Sequence, residues 1–139
     1  MTKVLPEGMV FPFDFGFIPG TKGEDGDPLD IIVISEFASF PGCIVSCRII
    51  GCLAAMQSEN KESSKLIRND RFVGVPIQSV SYKDIAEISA LPEKIVYGLE
   101  QFFVHYNEME GKEFFVQEKM GHEKALKRIG KSKFQKADA

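Results

Sequence analysis

Residues 23–36 read GEDGDPLDIIVISE. Asp25, Asp27 and Asp30 fall within six residues, and the apolar run from Ile31 to Ile34 follows at once. Two unit charges 4 Å apart repel by about 1 kcal/mol in water and about 4 kcal/mol near a protein surface. Crowding of this kind therefore needs compensation. Gly23, Gly26 and Pro28 predict a tight turn, and Leu29 to Ser35 predicts a short central strand entered directly from it. Two accounts of the carboxylates follow, a turn with a capped strand end or a cation site. An EF-hand is excluded. Counted from Asp25, Asp27 and Glu36 fall at ligand positions, but Leu29 stands where a central ligand is needed and Asp30 where the loop needs glycine. Magnesium fits better, because it takes few carboxylates and completes its shell with waters and phosphate oxygens. On spacing alone the turn-and-cap account stays open beside it.

Outward from this motif the first half of the chain reads as strands. Phe11 to Phe17 (FPFDFGF) alternates large aromatics with small or polar residues. FPGCIVSCRIIGCLAAM, residues 40–56, reads as a further strand after a Pro-Gly turn, with Gly51 marking a bulge or bend. QSENKESSK is a polar loop or hairpin, and RFVGVP is a strand closed by Pro76. Helical spacing follows. Tyr82 to Ile88 predicts a short helix. Pro92 suits a first helical position. Ile95, Val96, Leu99, Phe102, Phe103 and Tyr106 form one apolar stripe, and Gly111 ends it. EFFVQ predicts a last strand, and HEKALKRIGKSKF a terminal helix with a solvated basic face. Short strands bent at glycines and followed by helices predict an α+β protein built on a small barrel.

The 139 residues predict a single domain, 1–139, large enough to build a core without disulfide or metal staples. Seventeen Lys and Arg against twenty Asp and Glu give a net charge of −3, which argues against a broad nucleic-acid surface. No apolar run approaches the length of a membrane span, and residues 1–10 carry no signal-peptide core. Cys43, Cys47 and Cys52 have no neighbouring histidine and read as reduced thiols, which makes a cytoplasmic location the default. Neither His105 nor His122 has a carboxylate partner legible in the sequence, and His105, beside the apolar stripe, reads as structural or interfacial.

Residues 11–34, FPFDFGFIPGTKGEDGDPLDIIVI, closely resemble the soluble, magnesium-dependent inorganic pyrophosphatases. Phe11, Pro12, Phe15, Gly16 and Phe17 match that family's aromatic-Pro-x-x-aromatic-Gly-aromatic segment. Asp25, Gly26, Asp27, Pro28 and Asp30 match its D-G-D-P-x-D motif. FPGCIVSCRIIGCL and LPEKI…FFVHYN resemble its next strands and its main helix. The resemblance implies an OB-like five-stranded barrel with the main helix packed on it. It implies hydrolysis of pyrophosphate to two phosphates, with Mg2+ as cofactor and Mn2+ as an alternative, in a homo-oligomer that binds neither nucleic acid nor membrane. Position by position, it implies Asp25 and Asp30 as metal ligands and Asp27 as the group that orients or deprotonates water. Asp70 is implied as a further metal ligand after a one-residue shift, because Asn69 holds the strict aspartate position. Lys3, Arg71 and Tyr106 are implied as phosphate ligands, with Arg68 adding positive charge. The chain departs from the family pattern at Phe15, Gln57 and Asn107, and in lacking the family's N-terminal segment. A non-catalytic relative that binds Mg2+ or a phosphorylated ligand is therefore the alternative.

Overall fold

The structure is a computed structural model and describes residues 14–23, 26–35, 44–58 and 65–132. Six strands and two helices follow in the order β1 (Asp14–Ile18), β2 (Leu29–Val33), β3 (Cys47–Ser58), β4 (Leu66–Arg68), β5 (Arg71–Pro76), α1 (Glu93–Met109), β6 (Phe114–Gly121) and α2 (His122–Ser132), with a 3-10 turn at Ile88–Ala90 before α1. β1 and β2 are antiparallel, β2 runs parallel to β5, and β5 is antiparallel to β3. β4 and β5 share one flank of β3: β5 pairs with Cys47–Leu53 and β4 with Met56–Ser58. β6 takes the other flank, from Gly51 to Gln57. The six strands thus occupy five positions across one curled mixed sheet, an open half-barrel among the described residues. This is the expected α+β architecture.

The register of β3 breaks between Ile49 and Gly51, at the glycine the sequence marked as a bulge. A Cβ on Gly51 would lie 2.6 Å from the Met120 carbonyl oxygen and 2.7 Å from Ile88 Cβ, so only glycine lets β6 and the 3-10 turn approach.

Strand alternation divides the core between the two faces of the sheet. Ile32, Ile34, Leu53, Val73 and Val75 pack with Val96, Leu99 and Phe103 of α1. Leu29, Ile31, Cys52, Ala54 and Phe72 pack with Met120 and with Ala125 and Ile129 of α2. α1 follows the predicted stripe, with Val96, Leu99, Phe103 and Tyr106 buried. It ends at Gly111, whose φ of 75° admits the left-handed turn.

One local expectation differs from the structure. Tyr82–Ile88 forms turns rather than a helix. Arg48 supplies the reason. Its Nη1 donates to the Ile85 carbonyl at 2.7 Å and its Nη2 to those of Tyr82 and Lys83, so carbonyls that a helix would use internally are held by a strand. QSENKESSK, expected as a polar loop or hairpin, joins a hairpin: β3 runs on to Ser58 and pairs antiparallel with Leu66–Arg68, a strand the sequence reading leaves unassigned. Phe11–Phe13, Cys43 and residues 59–64 lie outside the described residues. Cys47 and Cys52 are free thiols, both raised in pKa by burial.

Candidate functional site

The aspartate motif hangs on the β1–β2 connection, and one buried threonine shapes that connection. Thr21 Oγ1 donates to the Ile18 carbonyl and accepts the Leu29 N–H at 3.0 Å, closing the loop at its neck. Gly23 N–H donates to the Asp27 carbonyl at 2.8 Å, and Gly26, with φ 89°, turns the chain between them. Asp27 therefore sits exposed on a pinned turn, and Asp30 is carried into β2 opposite Phe17 and Arg71.

Asp30 and Arg71 form the centre of the α1 face. Arg71 Nη1 donates to Asp30 Oδ2 at 2.6 Å, and its Nη2 to Gln57 Oε1 at 3.4 Å. The Arg71 side chain is 3% exposed and that of Asp30 19%. The guanidinium lies 4.8 Å from the Phe103 ring centroid, 5.7 Å from that of Phe114 and 5.9 Å from that of Phe15. Rings at such distances attract a cation through their quadrupoles, and more strongly once water is excluded. The three aromatics thus serve as a box for a buried charge. Phe15 and Phe103 also pack on each other, with centroids 5.9 Å apart.

Tyr106 lies one turn beyond Phe103 on the same helix and packs edge-on against Phe102. Burial, with the Glu110 carboxylate as a lesser cause, raises its phenol pKa, so it stays a neutral hydroxyl donor at neutral pH. The next residue, Asn107, is buried and donates to the Phe103 carbonyl at 2.8 Å, a helix-closing role rather than a ligand role.

Asp70 is not brought to this group. Arg71 faces α1, and its neighbour Asp70 faces α2. There Asp70 Oδ1 accepts the Ala55 N–H at 3.1 Å, while Oδ2 accepts Arg68 Nε at 3.1 Å and Arg128 Nη1 at 2.9 Å. The carboxylate is 5% exposed and its hydrogen bonds anchor the β4–β5 junction. Arg68 is thereby committed to the α2 face as well. Asp25 and Lys3 lie outside the described residues. Among the described residues no three of His, Cys, Asp and Glu converge on one point.

The donors on the turn and on β2 and β3 still suit a hard cation. Asp27, Asp30 and Gln57 offer only oxygen, with no thiol or imidazole among them, and one or two carboxylates suffice where phosphate oxygens complete the shell. Sequence reading missed three groups. Thr21 carries no motif. Arg128 sits in a stretch of Lys124, Lys127 and Lys131 that looks uniformly solvated. His122 has a partner 35 residues away in Glu87, which accepts both its N–H, at 2.9 Å, and its ring Nδ1.

Residues 1–136 match a family model described as inorganic pyrophosphatase. The inorganic pyrophosphatase of Saccharolobus solfataricus is 40% identical over 108 residues, covering 78% of this chain and 60% of the relative. That of Aquifex pyrophilus is 40% identical over 132 residues, covering 93% of this chain and 71% of the relative. Among solved structures, the Thermus thermophilus inorganic pyrophosphatase superposes with a TM-score of 0.81 at 30% identity, over 92% of this chain and 71% of that one. This chain thus spans 60% to 71% of the length of these three proteins.

Proposed function

The chain belongs to the inorganic pyrophosphatase family, and from that premise we propose that it hydrolyses pyrophosphate to two phosphates at the α1 face of the sheet. The observation that supports this best is the Asp30–Arg71 pair, which sets a carboxylate and a guanidinium 2.6 Å apart beside the pinned Asp27 turn. Asp25 and Asp30 hold the divalent cation, Mg2+ with Mn2+ as an alternative. Asp70 is left out of the ligand set, because its oxygens already accept three hydrogen bonds on the α2 face. When bound, the cation neutralises phosphate charge and lowers the pKa of water. Asp27, exposed at the turn, takes the proton from the attacking water. Arg71 keeps Asp30 oriented and adds positive charge to the cleft. Lys3 and Tyr106 bind phosphate oxygens. Phosphoryl transfer leaves the protein little covalent work, so this positioning carries the rate. The protein works as a single domain in a cytoplasmic homo-oligomer. No helix among the described residues is long and apolar enough to cross a membrane.

A second reading, a relative that binds metal or a phosphorylated ligand without turnover, draws on three observations. Gln57 and Asn69 are neutral, and Phe15 offers a ring where a hydroxyl would reach the substrate. One assay separates the two. Phosphate release from pyrophosphate with Mg2+ is expected from the wild type and is expected to vanish in Asp27→Ala and Asp30→Ala. Stabilisation by Mg2+ with no release from the wild type selects the binding reading. Equal release by the wild type and Asp30→Ala refutes the catalytic site.

A further inference from the structure

We infer that the outward face of α1 is a contact surface for a second copy of this chain, whose own α1 packs against it antiparallel. The helix turns Val96, Leu99, Phe103, Tyr106 and Asn107 inward. Lys94, Tyr97, Gln101, His105 and Glu108 recur at three and four on the opposite side. Tyr97 is 64% exposed, and Met109, at the end of this face, 60%. Single apolar residues on a surface need no explanation. The charges between them do.

Both charges run against the helix macrodipole, which is positive at the N-terminal end and negative at the C-terminal end. Lys94 stands in the first turn of α1. Glu108 stands in the last turn, which holds no basic residue. Glu93, the acid that suits the first turn, lies about 100° round the helix from Lys94. Neither Lys94 nor Glu108 has an ion-pair partner among the described residues. No side chain caps the N-terminal end at Pro92. An antiparallel neighbour offsets all of this, because its negative end comes to Lys94 and its positive end to Glu108.

The order of residues is symmetric for that pairing. With Gln101 on a twofold axis, residues equally spaced before and after it meet across the contact. Lys94 of one copy then faces Glu108 of the other, and Tyr97 of one faces His105 of the other. Each pair occurs twice, and the neutral Gln101 meets itself without a clash of like charges. α1 is about 25 Å long. One helix face offers less than the roughly 800 Å2 per partner of a standard interface, so the association is reversible and depends on concentration. This gives the homo-oligomer proposed above its contact surface. It does not need the catalytic reading, because association is read as mass and catalysis as phosphate release.

Sedimentation velocity of the full chain in EDTA, from micromolar to near-millimolar protein, tests it. The wild type is expected to double in mass as concentration rises, and salt is expected to weaken the step. Glu108→Lys brings two cations together at each end of the contact and is expected to weaken association at least tenfold. The same change suits the macrodipole, so the dissociated variant is expected to melt no lower than the dissociated wild type. Lys94→Glu/Glu108→Lys exchanges the signs and is expected to recover most of the affinity. A wild type that stays monomeric throughout overturns the inference. So does equal association by Glu108→Lys, or a double variant that associates no better than Glu108→Lys.

Discussion

Replacing Asp30 with asparagine should destabilise the protein even where no metal or substrate is present. The carboxylate is the counter-charge of a guanidinium that is 3% exposed. Removing one partner of a buried ion pair costs about 3 to 5 kcal/mol, because the other charge stays buried without it. Asp30 keeps 19% of its side chain exposed, and three aromatic rings still hold the cation, so the lower end of that range applies. A loss of about 3 kcal/mol is large beside a typical total stability of about 5 to 15 kcal/mol. At a urea slope of about 2 kcal/mol/M it moves the unfolding midpoint down by about 1.5 M. Urea unfolding in EDTA measures this without interference from metal linkage. The double variant Asp30→Asn/Arg71→Met removes both charges and leaves a flexible apolar side chain among Phe15, Phe103 and Phe114. It should recover at least half of the loss, because paired charges and well-packed apolar groups are close to isoenergetic in protein interiors. A double-mutant cycle extracts the coupling. A loss below 1 kcal/mol for Asp30→Asn, or a double variant less stable than the single one, would show that the aromatic box and not the carboxylate holds Arg71.

Two further outcomes test the fold around the site. Gly51→Ala places a methyl 2.6 Å from a carbonyl oxygen and should lower stability by about 1 to 3 kcal/mol, whereas Gly98→Ala, inside α1 with open space around the new carbon, should raise it by about 1 kcal/mol; thermal unfolding of both variants reads the difference, and equal shifts sink the close-approach argument. Acid stability should carry the signature of Glu87, whose carboxyl is held below its ordinary value first by the His122 backbone N–H and then by the His122 ring. A depressed folded-state pKa contributes stability that is fully present above the unfolded value near 4.5 and disappears as pH falls through the folded value. The melting temperature of the wild type should therefore fall more steeply below about pH 4.5 than that of Glu87→Gln, and the two curves should converge in acid. Parallel curves down to pH 2 would remove Glu87 from the account.

What was legible in the sequence was what local physics decides. Gly23, Gly26 and Pro28 announce a turn, the β-branched run after Asp30 announces a central strand, and the three-and-four spacing from Ile95 to Tyr106 announces α1. Gly51 could be read as a bulge because an isolated glycine in a strand weakens it unless something approaches closely. What was not legible depends on partners distant in the chain. Tyr82 to Ile88 has acceptable helical spacing, but Arg48, more than thirty residues earlier, takes its carbonyls. Leu66–Arg68 is too short to announce a strand and pairs because β3 is already there. Glu87 and His122 meet only after β6 has folded back along β3.

The placement of Asp70 turns on the same distinction between local pattern and register. Asn69 and Asp70 are one position apart, and along the chain a one-residue shift looks small. Beside a strand it is not, because side chains alternate between faces and a slip of one moves a group to the other side of the sheet. Arg71 is fixed on the α1 face by Asp30 and the aromatic rings, so the residue before it points to α2, where Arg68 and Arg128 receive it. The same alternation gives the two faces opposite electrostatic character. On one, a cation is buried among rings to hold a carboxylate beside an acidic turn. On the other, a carboxylate is buried to hold two cations beside a lysine. A single peptide unit, Asp70–Arg71, belongs to both. Exchanging Asp70 for a neutral residue should therefore be felt first on the α2 face, and on the α1 face only through the backbone that the two residues share.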